Sequence, residues 1–171
     1  VILGIAKQNG PTPQPEDCYD PKSKAHVLAG TYPLETDMLK EIEAFSKVLQ
    51  KYNIKLYRPE IIKDVNQIFV RDIGFVIDDI FFRSNILPNR IKELQAIDYL
   101  IKQINPAHVI TLPEEVQVEG GDIMPYNGYL FIGTYTAPDY QQLITARTNK
   151  EAVTFLREQF PNKIIKAFEL R

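Results

Sequence analysis

The chain has 171 residues, 44% of them hydrophobic and 25% charged, with a formal net charge of −2 at pH 7. That length and mix suit one soluble globular domain, or part of a larger protein, burying about 70% of the surface its unfolded chain exposes. The charge balance gives no electrostatic case for nucleic acid, and no apolar run approaches the roughly 18 residues of a membrane span. The opening Val1-Ile2-Leu3-Gly4-Ile5-Ala6 has no basic segment ahead of it, so it reads as a buried strand with the cytoplasm as default compartment.

In chain order, strand 1–6 leads into a polar loop from Lys7 to Lys24 with Pro11, Pro13, Pro15 and Pro21, then a strand at 26–30. A helix over 36–52 puts Met38, Ile42, Phe45, Leu49 and Tyr52 on one stripe, and a strand at 54–57 closes the unit. The second unit predicts strand 67–77, a turn at Asp78-Asp79 and a return through Ile80-Phe81-Phe82. Its helix spans 89–104 with Leu94, Ile97, Ile101 and Ile104 in register, and strand 108–112 follows. The third unit predicts strand 116–126, a hairpin turn at Asn127-Gly128, a return through Tyr129-Leu130-Phe131-Ile132, helix 149–160 and strand 163–168. Such a ββαβ pattern, recurring about every fifty residues, indicates repeat architecture, with units at approximately 1–60, 66–113 and 116–171. Each unit leaves an apolar face that only a neighbour covers, so three alone form an incomplete arc.

Phe69-Val70-Arg71-Asp72 and Val118-Glu119-Gly120-Gly121-Asp122 fall at equivalent points of successive units. Each sets carboxylates at the mouth of a hairpin, and each is followed by a helix opening near an arginine, Arg90 or Arg147. A fixed, partly desolvated carboxylate suits a guanidinium, a planar cation with paired donors. Gly120 and Gly121 carry no Cβ, so backbone or ligand can approach closely. Structural readings stand beside these: an Arg71–Asp72 ion pair, acids bonded to loop backbone, a Thr148–Glu151 capping box, and an exposed Arg90–Glu93 helical pair worth about 0.3 kcal/mol. His26 and His108 read as strand-edge structural residues. Cys18, the single cysteine, has Glu16, Asp17 and Asp20 as neighbours and reads as a passive thiol.

Phe-x-Arg-Asp, Glu-Gly-Gly-Asp and Ala146-Arg147-Thr148-Asn149, in that order, resemble the guanidino-group modifying enzymes: arginine deiminase, agmatine deiminase, dimethylarginine hydrolase and glycine amidinotransferase. The resemblance runs from Leu28-Ala29-Gly30 to the end of the chain. It implies a pentein-type α/β propeller with five-fold pseudosymmetry. It also implies hydrolysis of, or amidino transfer from, arginine or a related compound through a covalent amidino-cysteine. By the same likeness Asp72 grips the substrate guanidinium, and Glu119 orients a catalytic histidine. Arg90 and Arg147 bind the substrate carboxylate, with Arg71, Gly120, Gly121 and Asp122 in support. The extra stretch 135–145 makes the carboxylate end the looser match. The family's His-x-Asp and late cysteine match nothing before Arg171, so the chain reads as an N-terminal part, inactive by itself. The resemblance implies no metal or organic cofactor, and as partner a small guanidino compound rather than nucleic acid or membrane; a homo-oligomer is compatible with it. The alternative is a non-catalytic binding protein of the same fold, such as a ribosome anti-association factor.

Overall fold

The computed structural model describes residues 1–18, 20–136 and 146–170. Among these, two three-stranded sheets share one topology. In the first, β1 (Gly74–Ile77) pairs antiparallel with β2 (Ile80–Arg83), and β2 pairs parallel with β3 (Val109–Thr111). In the second, β4 (Ile123–Tyr126) pairs antiparallel with β5 (Tyr129–Thr134), and β5 pairs parallel with β6 (Ile164–Glu169). A helical crossover makes each parallel pairing reachable, as it must for strands running the same way. The Asn127-Gly128 turn has φ of 44° and 79°, the left-handed pair that a two-residue hairpin requires.

The first region is less regular than its sequence predicts. Strand 1–6 and strand 54–57 are reduced to a parallel bridge, Ile2 to Tyr57, and Ile5 bridges Gln67. The strand expected at 26–30 is instead the end of α1 (Pro21–Leu28). Asp20 caps that helix by accepting from the Ser23 amide at 2.8 Å, and Pro21 supplies a pre-set φ at its start. These local signals outweigh the short Val27-Leu28-Ala29 run. Helix α2 (Glu35–Lys51) lies where expected, but its packed face runs through Met38, Leu39, Ile42, Ser46 and Leu49. Phe45 and Tyr52 stand one step off that face and are exposed.

Two further departures shape the site. Both long strands expected ahead of the hairpins are broken by a single helical turn: α3 (Val70–Ile73) before β1, and a 3-10 turn, Gly120–Asp122, before β4. The helix expected over 89–104 is a ten-residue 3-10 helix, Pro88–Ile97, passing into the short α4 (Asp98–Ile101). Its apolar stripe still packs as read, with Leu94, Ile97, Ile101 and Ile104 against Ile73, Phe81 and Ile86.

The main core joins the two repeats. Phe75, Ile77 and Phe82 of the first sheet pack with Leu130 and Ile132, and with Ala152, Val153 and Leu156 of α5 (Lys150–Gln159). Counting from the hairpin turns, Phe75, Ile77 and Phe82 correspond to Met124, Tyr126 and Phe131 of the second sheet. The burial differs sharply: Ile77 is 0% exposed and Tyr126 is 65% exposed. The outer face of the first sheet is covered by the following repeat, whereas at Met124 and Tyr126 that of the second sheet is exposed among the described residues. Phe82→Ala should therefore cost about 3–5 kcal/mol of unfolding free energy in urea. Met124→Ala should stay within about 0.5 kcal/mol, and a larger loss there would mean that this face is covered in solution.

Candidate functional site

The two helical turns pack against each other and carry the acids. Asp72 and Asp122 hold equivalent places, each donating its amide N–H to the carbonyl three residues back, Phe69 at 2.9 Å and Glu119 at 3.0 Å. Arg71 ties the turns together rather than pairing with Asp72. Its Nε donates to the Gly120 carbonyl at 3.1 Å and its Nη2 to the Ile123 carbonyl at 2.6 Å. A Cβ on Gly120 would run into the Arg71 carbonyl oxygen, and one on Gly121 would lie 2.5 Å from Asp72 Oδ1. The glycine pair is thus explained by backbone contact at Gly120 and by the Asp72 carboxylate at Gly121.

Asp72 and Glu119 meet at one nitrogen. Arg90 Nη1 donates to Asp72 Oδ2 at 2.9 Å and to Glu119 Oε2 at 2.8 Å. Arg147 Nη1 donates to the same Glu119 oxygen at 2.6 Å and lies 3.8 Å from Asp72 Oδ2. The other edge of the Arg90 guanidinium is gripped by Glu93, with Nε to Oε1 at 2.8 Å and Nη2 to Oε2 at 2.7 Å. Arg90 and Glu93 are 6% and 5% exposed, so this is a buried bidentate pair and not the exposed helical pair weighed from sequence. The flat cations between the two acids here are the chain's own. A groove of about 470 Å³ lies alongside, lined by Gly121, Asp122, Met124, Phe131, Phe168 and Leu170 among others, and not between Asp72 and Glu119.

One oxygen of each acid stays outside these pairs. Glu119 is 1% exposed, and its Oε1 is buried without a hydrogen-bond donor among the described residues. Asp72 Oδ1 accepts no described hydrogen bond and lies against Gly121. A buried carboxylate oxygen without a donor is costly and calls for one.

The Arg147-Thr148-Asn149 segment divides its work. Arg147 reaches Glu119, and its amide donates to Asp122 Oδ2 at 2.8 Å. Thr148 Oγ1 donates to the same Asp122 oxygen at 2.8 Å. Asn149 is the N-cap of α5, accepting from the Ala152 amide at 2.9 Å, so the expected Thr148–Glu151 capping box does not form. Thr148 is instead 1% exposed and anchors Asp122. The stretch 135–145 lies mostly outside the described residues.

His26 bonds Thr31, and His108 bonds Asp79. The Cys18 thiol bonds the Gln14 carbonyl, and burial together with Asp20 and Asp17 raises its pKa. None of those partners belongs to the cluster. His26 sits in the last turn of α1 rather than at a strand edge. Glu93 is the main member that the motifs missed. Its signal was the three-residue spacing from Arg90 behind Pro88, which places both on one face of a 3-10 helix.

Burial raises the pKa of Glu119 and Glu93 against the opposing pull of the guanidiniums that bond them. Burial likewise raises Asp122, opposed by the hydrogen bonds from Arg147 and Thr148. Among the described residues, Asp72, Glu93 and Glu119 all lie within ion-pair distance of Arg90 or Arg147.

No family model matches the sequence, and no curated protein matches it. Solved structures match its fold. The N-terminal domain of an arginine dihydrolase from cyanobacteria has a TM-score of 0.71 at 10% identity, covering 99% of this chain and 57% of that one. Inosamine-phosphate amidinotransferase from Streptomyces griseus has a TM-score of 0.69 at 13% identity, covering 99% and 59%. Dimethylarginine dimethylaminohydrolase from Pseudomonas aeruginosa, solved with citrulline, has a TM-score of 0.64 at 19% identity, covering 82% and 52%. The chain shares the α/β fold of these three structures and spans about half of their length.

Two outcomes test the geometry. A carboxylate whose pKa is higher folded than unfolded adds stability below its unfolded pKa and loses that contribution as pH rises through its folded pKa. Glu119→Gln removes this loss, so its stability relative to the parent chain should improve as pH climbs from the ordinary glutamate range, about 4.3, towards neutrality. Denaturation at a series of pH values would expose the error if the trend reversed. Gly120→Ala should destabilise more than Gly121→Ala in the same assay, because backbone blocks the first Cβ and a side-chain tip the second.

Proposed function

We propose that this chain is the N-terminal part of a guanidine-modifying enzyme, acting on arginine or a related guanidino compound, within a five-fold α/β propeller. One observation carries the reading. Asp72 and Glu119, from successive repeats, converge on one guanidinium nitrogen, while each keeps an oxygen that no described protein donor takes. The chain's own guanidiniums, Arg90 and Arg147, bond this pair, which supports a site suited to flat cations. The open face at Met124, Tyr126 and Phe131 supports further repeats, since the equivalent face of the preceding repeat is buried by its neighbour.

In this reading Asp72 Oδ1 receives the substrate guanidinium, and Arg147, the more exposed of the two arginines, serves its far end. Glu119 Oε1 accepts the N–H of a histidine supplied outside these residues. A cysteine thiolate, also supplied there, adds to the guanidinium carbon. The C–N bond then breaks, and the departing ammonia or amine takes its proton from the imidazolium. Water adding to the amidino-cysteine makes the enzyme a hydrolase; an acceptor amine makes it a transferase. Either releases the thiolate.

The second reading is a non-catalytic binding protein of the same fold. What favours it is that Arg90 and Arg147 already pair with both acids. Carboxylate-detected NMR of the 171-residue chain, titrated with arginine, agmatine and dimethylarginine, separates the two. The enzyme reading expects saturable shifts at Asp72 and Glu119 with a dissociation constant in the millimolar range, about −4 kcal/mol, abolished by Asp72→Asn. It also expects no ammonia or citrulline from the chain alone. Unmoved carboxylate signals would leave the binding-protein reading standing.

A further inference from the structure

We infer that Glu93 is the positioning residue of the carboxylate pair, acting through Arg90; the inference rests on the functional reading above. Arg90 and Glu93 are three residues apart in a 3-10 helix, whose period of three stacks them on one face. Both are buried, and Glu93 takes the Nε/Nη2 edge of Arg90 with both of its oxygens. That edge is one of those on which a guanidinium grips a carboxylate bidentately.

The consequence lies in what Glu93 denies to the other acids. Were that edge turned to Asp72 or Glu119, the chosen acid would bond Arg90 through both oxygens and keep neither wholly for a ligand. With the edge engaged, only Nη1 faces the pair, and a single nitrogen makes one bond to each: Asp72 Oδ2 and Glu119 Oε2. Asp72 Oδ1 and Glu119 Oε1 are thereby left for other donors. Glu93 touches neither ligand nor reacting atoms; it sets which oxygens face them. A glutamine presents one acceptor and an NH2 group that opposes the arginine's own N–H donors, and an aspartate falls one methylene short. Neither can hold both nitrogens of the edge.

The test uses the 171-residue chain, agmatine as the probe, and two variants, Glu93→Gln and Glu93→Asp. The aspartate keeps a carboxylate at this position and so guards against loss of fold in the glutamine variant. Carboxylate 13C and arginine Nε–H resonances are followed through each titration. The expected result is a tenfold or greater rise in the dissociation constant for Glu93→Gln and a smaller rise for Glu93→Asp. The Asp72, Glu119 and Arg90 signals should be displaced before ligand is added. Either folded variant binding agmatine within twofold of the parent chain would overturn the inference. If the parent chain binds no agmatine, the functional reading falls, and the ligand-free spectra still decide: Asp72 and Glu119 signals unmoved by Glu93→Gln reject the positioning role.

Discussion

A single buried guanidinium organises this molecule. Arg90 donates hydrogen bonds to three carboxylates drawn from three places in the chain: the turn before β1, the N-cap of the turn before β4, and its own 3-10 helix. Removing charges from water costs several kcal/mol per ion, and only close, well-aligned pairing offsets it. The acids therefore cannot be placed independently. Moving any one of Asp72, Glu93 or Glu119 strands the arginine that the others share. Burial raises the pKa of Glu93 and Glu119, and the guanidiniums that bond them pull the other way.

The fold delivers those acids by repetition. The same hairpin, entered through the same kind of helical turn, occurs twice, and Arg71 bolts one turn to the other through two carbonyls. Gly120 is where the turns touch, which is why no side chain fits there. Packing of α5 on the first sheet fixes the relative placement of the repeats, so the apolar core and the polar cluster constrain one another. The likeness to guanidino-modifying enzymes at 10–19% identity is a likeness of this frame; the reading of its chemistry rests on the side chains within it.

Much of this was legible before any coordinates. The two hairpins, the Asn127-Gly128 turn and the apolar stripe of Leu94, Ile97, Ile101 and Ile104 follow from spacing and turn chemistry, whereas a shared site for Asp72 and Glu119 is implied by the family resemblance alone. Other features needed tertiary information. The three-residue spacing of Arg90 and Glu93 is visible, but it fits an α-helix as well as a 3-10 helix and says nothing of burial. An Arg–Glu pair at i,i+3 looks the same in sequence whether solvated or buried. At α1 an Asp-Pro start outweighs the short apolar run that reads as a strand, and at α5 Asn149 caps one residue later than the Thr148–Glu151 pattern indicates.

The central claim is that Asp72 and Glu119 share one nitrogen of Arg90, and a double-mutant cycle reads such sharing directly. Unfolding free energies of Asp72→Asn, Glu119→Gln and the double variant should depart from additivity by about 1 kcal/mol or more, as groups in one network do. Additivity within about 0.5 kcal/mol would show two independent acids and contradict the account.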